Sequence, residues 1–164
     1  MTQNGPAIFA NTPYFSELRE KAAKRGGLFN AHLHLDRAGT YHATMELMAE
    51  SAVRDAASLS IAGKHALIPM IHNSALYDPE NLFNRVSEYL EGMVAVGTTR
   101  ADSVVDTTTD RVGLSALEVF YDLREKFRGR LDLKAGAYTP LGFRDDEPAR
   151  WELIEQATKQ ADFV

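Results

Sequence analysis

The sequence contains no cysteine. That one absence excludes disulfides, thiolate metal sites and cysteine nucleophiles together. No apolar run approaches the roughly 20 residues that span a bilayer. The opening MTQNGPAIFANTPYF has neither a basic leader nor a continuous apolar stretch, so a cleaved secretion signal is not expected. Basic residues are in the minority, 18 Lys and Arg against 23 Asp and Glu, for a net charge of −5. With no basic block, the chain is a poor match for a nucleic-acid-tracking surface or an anionic membrane face. A small-molecule substrate and a soluble, cytoplasmic setting are the expectations. No glycine-rich phosphate loop follows any expected strand, which argues against a dinucleotide or nucleoside-triphosphate fold.

What remains is an ordinary globular composition. The 164 residues are 45% hydrophobic and 25% charged, enough for one domain with a sizeable core. Residues 1–27 read as a polar approach segment, with a short charged helix from Ser16 to Arg25 stopped by Gly26-Gly27. Leu28 to Asp36 (LFNAHLHLD) alternates as a strand. Thr44 to Leu59 has helix formers with apolar residues at Met45, Met48, Val53 and Ala56. Ser60 to Leu76 is the least readable stretch.

Beyond it the pattern sharpens. Asp78-Pro79-Glu80 is a helix start, a capping carboxylate followed by proline where no donor is needed. Leu82, Phe83, Val86, Tyr89, Leu90, Met93 and Val94 then mark one buried face, and Gly97 closes the helix. Thr98 to Val105 reads as a β-branched strand. A second amphipathic helix runs from about Arg111 to Arg128, with Gly129 at its cap. Leu131 to Thr139 is a third strand. Pro148 to Gln160 is a helix with Trp151, Ile154 and Ala157 inward, and Ala161 to Val164 opens a fourth strand. Alternating strands and helices imply a parallel sheet. Stopping on a strand would leave an apolar edge unpaired. The expectation is therefore an α/β fold. Residues 28–164 would be the N-terminal half of a (β/α)8 barrel, with about four strands, completed by a second chain or a C-terminal portion.

The chemistry concentrates in His32-Leu33-His34-Leu35-Asp36. Residues two apart on a strand point to the same side, so both imidazoles project together, as two ligands of one metal ion do. Asp36 falls on the same face of an ideal strand; it either orients a histidine, contacts substrate or caps the following loop. Arg100 and Asp102 alternate with small residues on the second strand, as substrate contacts or as a mutually neutralising pair. Asp106 either lines the mouth or starts a capped turn. Lys134 and Tyr138 share one face of the third strand, and Tyr138 is the better candidate for lining a pocket. His42 sits in a loop that could fold over the mouth or serve packing. His65 and His72 are expected to be structural. Arg144-Asp145-Asp146-Glu147 reads as a solvated helix start.

AHLHLDRAGT resembles the signature of the amidohydrolase superfamily, in the branch containing cytosine deaminase and N-isopropylammelide amidohydrolase. The stretch from Asp78 to Phe143 is similar in order and spacing, and QADFV resembles the opening of that family's fourth strand. The resemblance implies a metal-dependent hydrolase of C–N bonds on a (β/α)8 barrel, with one divalent ion, zinc or iron. It makes His32 and His34 metal ligands, with the remaining ligands and the general base on later strands outside this chain. Alone, the chain is then expected to be catalytically incomplete, and oligomerisation is expected. Asp36, Asp102 and Tyr138 are the substrate-side candidates.

Two departures narrow the likeness. Asp102 stands where the T-R-T-H-V-D pattern of cytosine deaminase-like members has its histidine, and Pro140 stands where they have a glutamine. Both argue against cytosine itself. With only 31 residues before His32, the start is closer to adenosine deaminase, whose barrel opens with a similar H-x-H-L-D. Two rivals carry other activities: a TatD-like metal-dependent nuclease, and a non-catalytic half-barrel that binds a partner through its open edges.

Overall fold

A computed structural model describes residues 12–47, 55, 58–65, 67–140, 142 and 146–164. The chain opens with helix α1 (Pro13–Ala23), capped by the Thr12 hydroxyl accepting from the Phe15 amide at 3.3 Å. Strand β1 (Leu28–Leu33) follows and passes into a 3-10 turn, Leu35–Arg37. Among the described residues the short helices α2 (Tyr41–Leu47), α3 (Ile61–His65) and α4 (Ile68–His72) come next, with a second 3-10 turn at Ala75–Tyr77. Helix α5 (Pro79–Ala95), strand β2 (Thr98–Asp106), helix α6 (Ser115–Phe127), strand β3 (Asp132–Tyr138) and helix α7 (Pro148–Thr158) complete the order. No helix among the described residues is long and apolar enough to cross a membrane.

The sheet is open, parallel and three-stranded, in the order β1-β2-β3. Alternation along the strands decides which side is dry. Ala101, Ser103 and Val105 of β2 and Leu133, Ala135 and Ala137 of β3 are buried on the helix side. There they join Leu82, Val86 and Leu90 of α5 with Leu117, Phe120 and Leu123 of α6 in one core. The other side carries Phe29, Arg100, Asp102, Lys134 and Tyr138, none of them fully buried. Register slips between Asn30 and Leu33, where three steps on β1 match two on β2. The extra residue re-aims the end of β1.

Several sequence expectations change. The first strand stops at Leu33, because the chain turns at His34 into the 3-10 segment. Asp36 therefore leaves the strand face. Asp78 occupies the N-cap of α5 but makes no cap bond with its side chain; its carboxylate pairs with Arg111 instead. Helix α6 starts at Ser115, not near Arg111. Asp110 accepts from the Val112 amide at 3.0 Å, and Gly113 takes φ +53°, so those residues form a turn first. Tyr89 is 45% exposed and Trp151 42% exposed, so neither belongs to the buried faces expected of them. The fourth strand is reduced to one parallel bridge, Phe163 to Gly136. Asp162 and Phe163 nevertheless follow β3 in parallel fashion, through the Asp162 amide to Ala135 at 2.8 Å and the Ala137 amide to Phe163 at 3.0 Å. Met48, Val53, Ala56, Phe143, Arg144 and Asp145 lie outside the described residues.

Candidate functional site

The two histidines of the H-x-H motif do share a side. Their ring centroids are 5.2 Å apart, and Tyr138 reaches across from β3 to lie 5.2 Å from the His34 ring, edge-on. His32 is exposed and His34 half-buried. The Nδ1 atom of His34 is buried without a hydrogen-bond partner among the described residues. Burial, with the nearby Arg37 guanidinium, lowers the His34 pKa and so favours its neutral imidazole. A neutral imidazole with an idle ring nitrogen is the form that ligates metals.

Directly behind this pair lies a polar cluster that the motif does not announce. Asp106, at the end of β2, is buried and accepts four hydrogen bonds. They come from Arg37 Nε at 2.7 Å, Arg37 Nη2 at 2.5 Å, His72 Nε2 at 3.0 Å and the Tyr77 hydroxyl at 3.1 Å. Desolvation opposes its charge, but the bonds from His72 and Arg37 prevail and hold its carboxyl below the usual range. The other ring nitrogen of His72 lies 2.6 Å from Asp110. Burial alone would lower the His72 pKa; bonds to two carboxylates raise it.

Asp36 is fully buried in the same cluster. Its Oδ2 accepts from the Asp106 amide at 2.8 Å and shares the single Tyr77 hydroxyl proton with Asp106, each oxygen 3.1 Å from it, while Oδ1 has no partner among the described residues. Desolvation and the adjacent Asp106 charge push its carboxyl up to about 7. Of the alternatives open for Asp36, the structure shows a group that pins the end of β2 rather than one on the open face. Asp102 is held by Arg100, at 3.1 and 3.2 Å, which is the charge pair expected of two neighbours on one strand face. His42 is exposed on α2. Pro140 borders a cavity of about 170 Å³ beside His72, Thr108, Asp110 and Arg150.

The structure thus brings His32, His34 and Tyr138 together; Asp36 is buried in the polar cluster, and Asp102, on the open face, is paired with Arg100. Among the described residues no group of three or more histidine and acidic side chains is placed to hold a metal ion. His32 and His34 fit as two donors of a larger set. Arg37, Tyr77 and Asp110 carry no sequence signal, since the cluster is assembled from three separate stretches of chain, at 36–37, 72–77 and 106–110. Comparison with known protein families and with curated proteins finds no match for the chain.

Proposed function

We propose that this chain is the N-terminal half of a (β/α)8 barrel in a metal-dependent hydrolase of the amidohydrolase type, cleaving a C–N bond of a small linear or cyclic substrate. The observation that carries the reading is the His32–His34 pair on the open sheet face, with one buried imidazole nitrogen left idle. The half-barrel reading is supported by the element order and by β1, whose Leu28 and Phe29 are 41% and 54% exposed along an unpaired edge. Further strands, from a second chain or from additional sequence, would cover that edge and supply the missing ligands and the general base.

In this reading His32 and His34 hold the ion, zinc or alternatively iron. The ion supplies Lewis acidity that makes water nucleophilic near neutral pH. The chain's own side chains provide the support. Tyr138 walls the histidine pair from the β3 side. Asp106 fixes Arg37, and Asp36 fixes the Asp106 amide, so the turn that follows His34 is anchored at both ends. Such anchoring behind a ligand is what keeps its ring in place.

Native mass spectrometry tests this reading. The wild type is expected as a species heavier than the 18.2 kDa monomer, carrying a divalent metal that the His32→Ala, His34→Ala double variant loses. That species should release ammonia or amine from a panel of amides and aminopyrimidines. A metal-free monomer that takes up no added zinc would overturn it, as would cleavage of DNA in place of the amides.

A further inference from the structure

Arg37 follows the histidine pair, three residues past His34, and its side chain is 26% exposed. Its guanidinium is not free to wander. Nε and Nη2 form a two-pronged fork on the Asp106 carboxylate, a group that is itself buried and tied to His72 and Tyr77. Its Cζ lies 5.7 Å from the centre of the Tyr138 ring, which in turn touches His34. This arrangement consumes one side of the guanidinium and leaves Nη1 without a partner among the described residues. The Tyr138 hydroxyl likewise has none.

The chemistry next to His34 is accordingly one-sided. Two donors are available there, one of them charged and pre-oriented. The acceptors are not: both Asp106 oxygens are engaged, the Asp102 carboxylate is occupied by Arg100, and the idle Asp36 oxygen is sealed from solvent. An anionic oxygen entering beside His34 meets waiting hydrogens, whereas a cation meets a guanidinium and, among the described residues Asp36, Asp102 and Asp106, no free carboxylate. A planar, fixed guanidinium edge suits a carboxylate better than any other common acceptor.

We infer that Arg37 is a specificity-determining residue, donating from Nη1 to a carboxylate oxygen of the ligand, with the Tyr138 hydroxyl as second donor. Resting on the hydrolase reading, this narrows the substrate class to C–N compounds that bear a carboxylate and excludes cationic amidines.

The test uses two probes of equal size and opposite charge, benzoate and benzamidinium, titrated into the intact protein with and without added zinc. Binding is followed by the NMR signals of the His34 ring and Arg37 Nε. Benzoate should bind and shift both signals; benzamidinium should not. Arg37→Met is expected to weaken benzoate by about tenfold or more, as loss of a charged hydrogen bond does. Tyr138→Phe, which leaves the Asp106 fork intact, should weaken it about threefold on the same ground. The Tyr138→Phe variant also covers the case in which Arg37→Met fails to fold. Equal binding of the two probes, or benzoate binding untouched by either substitution, would overturn the inference. Charge discrimination without zinc uptake would leave it standing and defeat the hydrolase reading. Zinc uptake without charge discrimination would do the reverse.

Discussion

His72 and Asp106 stand 34 residues apart in sequence and are joined by a 3.0 Å contact between Nε2 and Oδ2, with both side chains sealed from solvent. Asp110 takes the opposite ring nitrogen at 2.6 Å. A neutral imidazole donates from one nitrogen only, so two carboxylates are satisfied together only by the imidazolium. The ring thereby ties the segment at Ile68–His72 to the end of β2.

Removing it should be costly. His72→Ala leaves Asp106 with one charged partner fewer in a dry site, and a loss of about 3 kcal/mol at pH 6 is expected. The pH dependence has a definite sign. The folded pKa of His72 lies above its unfolded value. Its stabilisation is complete below about pH 6.5 and fades as pH rises through the folded value. Urea denaturation of the wild type and the variant at pH 6 and pH 9 measures this; a gap that stays constant would refute it.

Asp36 gives a second pH-dependent term. Its carboxyl is raised to about 7 in the fold by burial and the Asp106 charge. The stability it contributes is present below about pH 4 and is lost as pH rises towards 7 and beyond. Asp36→Asn keeps an oxygen for the Asp106 amide and cannot ionise. The variant should match the wild type near pH 4 and exceed it by about 2 kcal/mol at pH 8. A variant less stable than the wild type at pH 8 would contradict this account.

Gly136 marks where the last residues cross β3. A Cβ there would stand 2.2 Å from the Phe163 ring. Gly136→Ala should cost about 1–3 kcal/mol through overpacking. It should also speed hydrogen exchange at the Ala137 amide, which donates to the Phe163 carbonyl. Unchanged exchange at Ala137 would show that the ring is not seated on this glycine.

The histidine pair makes a metal prediction that does not depend on activity. Isothermal titration with zinc should detect binding to the wild type and to His42→Ala, whose imidazole lies exposed on α2. Binding should be lost in either His32→Ala or His34→Ala. Equal zinc uptake by all four proteins would place the metal elsewhere.

Much of the fold was legible because its signals are local. The Leu82, Val86 and Leu90 stripe and the β-branched run from Thr98 reveal α5 and β2 without reference to any distant residue. The errors came where a distant partner took over. Asp78 has the right chemistry for a cap, but Arg111 draws its carboxylate away. Tyr89 has helical spacing, but the core it was expected to join is filled by neighbours one step round the helix.

The site divides in the same way. By itself the sequence determined the alternating order of elements and the presence of the two imidazoles two residues apart; their 5.2 Å separation also depends on the slip before Leu33 and the turn at His34. Only the tertiary structure decided what stands behind them. The bulge and turn at the end of β1 carry Asp36 into the interior and set Arg37 on Asp106, while His72 and Tyr77 arrive from a stretch with no readable period. A buried charge must find its partners in space, and those partners are chosen by packing, not by spacing along the chain.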